Sequence, residues 1–126
     1  MQALFLIKEV NAVADCIFCK IVSKQIPSEV VYEDDQVFVF HDINPQAPTH
    51  LLVIPKEHIQ SAAHVTEKDK ELLGQMFVVI KNVTEKLGLD KEGYRIVNNC
   101  GELGGQQVDH LHFHVLGGRQ MQWPPG

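Results

Sequence analysis

A chain of 126 residues, 44% hydrophobic and 21% charged, has the length and apolar content of one globular domain burying roughly two-thirds of its unfolded surface. That composition excludes a disordered polymer. A net charge of −5, with no run of Lys or Arg, excludes a general nucleic-acid binder, whose affinity rests on neutralising many phosphates. A single nucleotide stays within reach of backbone amides and a few polar side chains.

The apolar stretch Ala3-Leu4-Phe5-Leu6-Ile7 is short, ends at Lys8 and Glu9, and is followed by no small-residue cleavage site. It reads as neither signal peptide nor membrane span. Residues 1–14 are therefore read as a tail ahead of a domain over 15–126. The odd cysteine count (Cys16, Cys19, Cys100) does not suit a secreted disulfide framework and points to a reducing, cytoplasmic setting. Asp15 is placed to cap a short helix from Cys16 to about Ser23, with Ile17, Phe18 and Ile21 at helical spacing. Val30–Glu33 and Val37–Phe40 read as strands, with a turn at Asp34-Asp35. Two prolines make His41–Pro48 irregular. His50–Ile54 reads as a third strand, stopped by Pro55. A long amphipathic helix runs from about Thr66 to Leu87. Thr66 and Asp69 form a capping box at its start, and Gly88 marks its stop. Tyr94–Val97 and Val108–Leu116 complete five strands. Hairpin-length links predict antiparallel pairing, hence an α+β fold with its helices on one face of the sheet.

In a strand over 108–116, His110, His112 and His114 share one face and Leu111, Phe113 and Val115 the other. Packing does not explain three alternating histidines. They suit either metal binding or covalent catalysis. In the second case a neutral imidazole nitrogen attacks phosphorus while the other ring nitrogen keeps the proton. A following histidine could orient the nucleophile or assist the leaving group. Gly104-Gly105-Gln106-Gln107, just upstream, offers close backbone approach and amide donors to an anion.

The run Gly105-Gln106-Gln107-Val108-Asp109-His110-Leu111-His112-Phe113-His114-Val115 resembles the signature of the histidine triad superfamily. The segment His41–His50 and the ending Trp123-Pro124-Pro125-Gly126 resemble its nucleotide-binding protein branch, and the likeness covers about residues 15–126. It implies a five-stranded antiparallel sheet with one short and one long helix, and a purine nucleoside phosphoramidase. The expected substrates are adenosine 5′-phosphoramidates and aminoacyl-adenylates, cleaved without a catalytic cofactor. By motif position His112 is the nucleophile and His114 its partner. Asp42 would hold the ribose and Ile43 the base, while Asn99, Gln106, Gln107 and His114 would meet the phosphate or leaving group. The resemblance also implies a homodimer, with Trp123 near the partner's pocket. Gln107 and Asp109 depart from well-known animal members, which carry Ser and an aromatic residue there. Two other functions fit the same pocket: dinucleoside polyphosphate hydrolysis, against which the Trp-Pro-Pro-Gly ending speaks, and non-catalytic nucleotide binding or scaffolding.

Cys16 and Cys19 alone could be packed thiols. Some bacterial members of the superfamily bind zinc through this pair and two histidines, which match His50 and His110. A structural zinc at Cys16, Cys19, His50 and His110 is the resulting expectation. His41, His58 and His64 are read as surface histidines, and Cys100 as a small residue near a strand end.

Overall fold

The structure, a computed structural model, describes residues 15–126; the expected N-terminal tail lies outside the described residues. Among them the chain forms α1 (Ile17–Val22), β1 (Val30–Glu33), β2 (Val37–His41), β3 (Thr49–Pro55), α2 (Lys70–Lys86), β4 (Tyr94–Val97) and β5 (Phe113–Gly117). Two 3₁₀ turns, Ala62–His64 and Glu67–Asp69, precede α2. The five strands form one antiparallel sheet in the order β1-β2-β3-β5-β4, so the α+β class holds.

Local chemistry accounts for most of the boundaries. The Asp34 carboxylate accepts from the backbone N–H groups of Gln36 and Val37, both at 2.7 Å, and closes the β1–β2 turn. The Asp69 carboxylate accepts from the Thr66 N–H at 2.8 Å in the expected capping box. At the far end of α2, Gly88 turns with φ +77°. Its N–H bonds the Glu85 carbonyl, and the N–H of Leu89 bonds that of Thr84. That pair of bonds is a Schellman stop. The cap of α1 is not Asp15. Cys16 occupies that position, and its Sγ accepts from the Cys19 N–H at 3.4 Å.

The helices lie on opposite faces of the sheet, not on one. Val37 and Val39 of β2 pack with Leu72, Met76, Val79, Ile80 and Val83 of α2. Phe38 and Phe40 pack with Phe18 and Ile21 of α1. The reason was present in β2 and β3, which are apolar at successive positions and so have two faces to cover.

The last strand is also shorter than expected. β5 begins at Phe113, paired with Val53, and the chain before it leaves the ladder although β3 runs on to Pro55. The preceding segment finds other partners. The Leu111 N–H bonds the Ile59 carbonyl at 2.6 Å, and the Asn98 amide donates to the His112 carbonyl at 2.9 Å. His110 and His112 therefore sit on a tethered loop, and only His114 is in the strand.

Candidate active site and metal centre

The face covered by α1 carries the chemistry. His112 is buried there, and the edge of the Phe18 ring meets it at 5.2 Å between centroids. Its Nδ1 lies 2.7 Å from the His110 carbonyl. A carbonyl only accepts, so Nδ1 carries the proton and Nε2 keeps its lone pair. This is the tautomer a nucleophilic imidazole needs.

His114 is held by a chain of donors. The Gln46 N–H donates to His50 Nδ1 at 3.0 Å, so the His50 proton is on Nε2. That atom is 2.8 Å from His114 Nδ1 and 3.4 Å from an Asp42 carboxylate oxygen. His50 donates to His114 Nδ1, and the neutral His114 ring keeps its own proton on Nε2. Burial, with His112 and His50 alongside, pushes His114 down to about 4, and burial lowers His50 against the pull of Asp42. The two rings of His112 and His114 lie 5.0 Å apart between centroids.

These groups open into a cavity of about 480 Å³, large enough for a small ligand. Its apolar wall is Ile17, Phe18, Ile21, Phe40, Ile43 and Leu52, and its polar end holds Asp42, Asn99, Gln107, His112 and His114. The Asp42 loop is fixed from behind, since the Arg119 guanidinium donates to the Gln46 carbonyl at 3.0 Å. Gly118 (φ +94°) leaves room for that loop, because a Cβ there would lie 2.8 Å from the Pro48 side chain.

One expected ligand contact is placed elsewhere. Gln106 does not line the cavity. Its amide oxygen accepts from the Gly101 N–H at 2.9 Å, and its nitrogen donates to the carbonyls of Gln60 (2.8 Å) and Val108 (3.0 Å). All of that capacity braces the glycine loop, which presents Gly105 and Gln107 to the cavity instead. Trp123 is 82% exposed and does not line the cavity of its own chain.

Behind the cavity, Cys16, Cys19, His58 and His110 place one ligand atom each within 4.8 Å of one another. His110 Nε2 donates to the Pro55 carbonyl at 2.9 Å, which leaves Nδ1 free 3.3 Å from Cys16 Sγ. His58 Nδ1 lies 3.3 Å from Cys19 Sγ. Burial and the Cys16 thiol push the Cys19 thiol up to about 12 with no cation beside it. His50 is not in this group. Antiparallel pairing sets His50 opposite Leu116 and brings His110 to the Pro55 end of β3, about 16 Å away by strand rise. His58 occupies the place expected for His50. It is no free surface histidine, because the Leu111–Ile59 bond draws its segment against the histidine loop. No motif spacing links His58 to the cysteines, so only the three-dimensional turn after β3 identifies it.

The depressed imidazoles predict how stability depends on pH. Well above pH 6.5, His114 and His50 are neutral in both folded and unfolded chains and contribute no slope. Between about 6.5 and 4 the unfolded chain takes up protons that the folded site refuses, so stability falls as pH falls. Thermal melts of metal-stripped protein should lose several degrees between pH 7 and about 4.5. His114→Asn should lose visibly less over the same range. Parallel curves for the two proteins would contradict the assignment.

The chain matches the family described as HIT domain over residues 23–121. It is 54% identical over 112 residues to a 14 kDa zinc-binding protein of Zea mays, with 87% of each chain covered. Among solved structures it resembles a HIT family hydrolase from Legionella pneumophila Philadelphia 1, with a TM-score of 0.87 and 51% identity. That match covers 89% of this chain and 100% of the other. A histidine triad nucleotide-binding protein from Candida albicans matches with a TM-score of 0.76 and 34% identity, covering 87% of this chain and 83% of that one.

Proposed function

This chain belongs to the HIT domain family, and from that premise we propose that it hydrolyses purine nucleoside 5′-phosphoramidates and aminoacyl-adenylates through a nucleotidyl-His112 intermediate. The observation that carries this reading is the 2.7 Å bond from His112 Nδ1 to the His110 carbonyl, which leaves Nε2 as a lone-pair nucleophile in a buried site. The base lies against Phe40, Ile43 and Leu52, the ribose hydroxyls at Asp42, and the phosphate near Asn99, Gln107 and the two histidines.

For a phosphoramidate, His112 Nε2 forms a bond to phosphorus as the P–N bond breaks. The departing nitrogen, protonated in the phosphoramidate, leaves with that proton as a neutral amine, while the His114 Nε2–H donates a hydrogen bond to the leaving group or a phosphoryl oxygen. Water then attacks the nucleotidyl-imidazole, frees the nucleoside monophosphate and His112, and passes its proton to the released amine. The hydrogen bond from His50 keeps the His114 tautomer fixed through both halves. Each histidine ends as it began.

Cys16, Cys19, His58 and His110 fit a structural zinc ion: two thiols and two imidazoles with donor atoms close enough to converge, and His110 already oriented by a backbone carbonyl. When bound, the ion supplies no step of the reaction and joins α1 to the segments carrying His58 and His110. The remaining parts of the reading are a cytoplasmic homodimer, with Trp123 covering the partner's pocket. The exposed edge of β4 suits two-fold pairing, which would satisfy its free backbone groups.

The test is turnover on adenosine 5′-phosphoramidate beside diadenosine tetraphosphate. Faster release of AMP from the phosphoramidate, by about ten-fold or more in kcat/KM, is the expected result. The opposite preference would assign polyphosphate cleavage, and binding of AMP without turnover of either compound would assign a binding protein.

A further inference from the structure

The cysteine–histidine cluster and the cavity share a wall. α1 gives Ile17, Phe18 and Ile21 to the cavity, and Cys16 and Cys19 stand at its start. Phe18 meets the ring of His110 at 5.8 Å and that of His112 at 5.2 Å, edge to face in both cases. His110 faces the cysteines with Nδ1 and holds His112 with its own carbonyl. Two connections therefore run from the cluster to His112, one through packing and one through the backbone.

The helix between them is short. Six residues cannot hold a helix in water by themselves, so α1 depends on what it packs against. Its support is the apolar cluster of Phe38, Phe40, Leu52 and Ile54 around Phe18 and Ile21, and the side chains gathered around the two cysteines.

We infer that the metal site and the nucleotide site are energetically coupled: zinc held by Cys16, Cys19, His58 and His110 tightens a purine nucleoside monophosphate in the cavity, and the nucleotide tightens zinc by the same factor. A nucleotide in the cavity needs the α1 wall seated and His112 oriented. Zinc requires the same ordering of Cys16, Cys19 and the His110 loop. Whichever ligand binds first meets the ordering cost, and the second binds without it. The inference rests on the zinc and nucleotide readings proposed above.

The experiment has two arms on the intact chain. In the first, AMP is titrated calorimetrically into protein loaded with one equivalent of zinc and into protein stripped by a chelator under reducing conditions. In the second, zinc-loaded protein competes with a chromophoric chelator, with and without saturating AMP. The loaded form should bind AMP about five-fold or more tightly, and AMP should raise zinc affinity by the same factor. The second arm starts from folded, loaded protein, so it decides the matter even where the stripped chain unfolds. Zinc affinity unchanged by AMP overturns the coupling. Phe18→Leu keeps an apolar wall but loses the ring edges, and it should shrink the factor toward one; an undiminished factor overturns the route through Phe18. Failure of zinc or of AMP to bind at all overturns the reading beneath. Binding of both with a factor of one overturns the coupling alone.

Discussion

Replacing His112 with alanine should lower turnover of adenosine 5′-phosphoramidate by roughly 10³-fold or more while leaving the protein folded. No other group is placed to take over. His114 Nδ1 is engaged by His50 and its Nε2 carries the ring proton, so neither nitrogen offers a free lone pair. His110 is turned away, with Nε2 on the Pro55 carbonyl and Nδ1 toward the cysteines. Water is a poorer nucleophile at phosphorus and forms no covalent intermediate to divide the barrier. Folding should survive because the edge of Phe18 and the flanking segment contact other residues too, although a buried ring lost beside Phe18 will cost some melting temperature. Steady-state kinetics checks the rate, circular dichroism checks the fold, and intact mass after rapid quenching looks for the nucleotidyl adduct. A folded variant that keeps a tenth of wild-type turnover, or still forms an adduct, removes His112 from the role of nucleophile.

The second large effect separates two histidines that the sequence does not distinguish. His58→Ala should reduce bound zinc from about one equivalent per chain to a small fraction under chelator competition, with a fall of several degrees in melting temperature. His50→Ala should keep its zinc. It removes the donor to His114 Nδ1 and frees the His114 ring to change tautomer, so it should cost roughly ten-fold or more in turnover. Metal analysis and kinetics on the same two preparations give both readouts. Zinc lost from His50→Ala and kept by His58→Ala would restore the ligand set first expected from the family resemblance.

That reversal of roles shows where sequence reading succeeds and stops. Signals confined to a few neighbouring residues were legible: the Thr66–Asp69 box, the Gly88 stop, the β-branched and aromatic run of β2, and the paired cysteines one helical turn apart. What depended on register was not. The period of a strand assigns a face but not a height, so His50 and His110 could be imagined together although pairing sets them at opposite ends of β3. Gln106 and Gln107 are chemically identical neighbours, and only the path of the glycine loop decides which braces it and which meets the cavity. The continuous apolar runs of β2 and β3 did carry the message that both faces are covered, and β2 between its two aromatic and two valine positions states it most directly.

The strand order β1-β2-β3-β5-β4 has a consequence for assembly in time. β1, β2 and β3 form a meander from neighbouring stretches of chain and can zip early. β5 follows all the other described strands in sequence yet lies between β3 and β4 in space, so its two ladders are the long-range closures that set a slow step. Until it docks, β3 presents an apolar, unpaired edge, the kind of surface on which partly folded chains associate. The loop ahead of β5 carries His112, and β5 itself carries His114. A chain emerging from synthesis therefore gains both histidines of its chemistry in the same event that seals the sheet, and a half-assembled molecule cannot hold a reactive pocket.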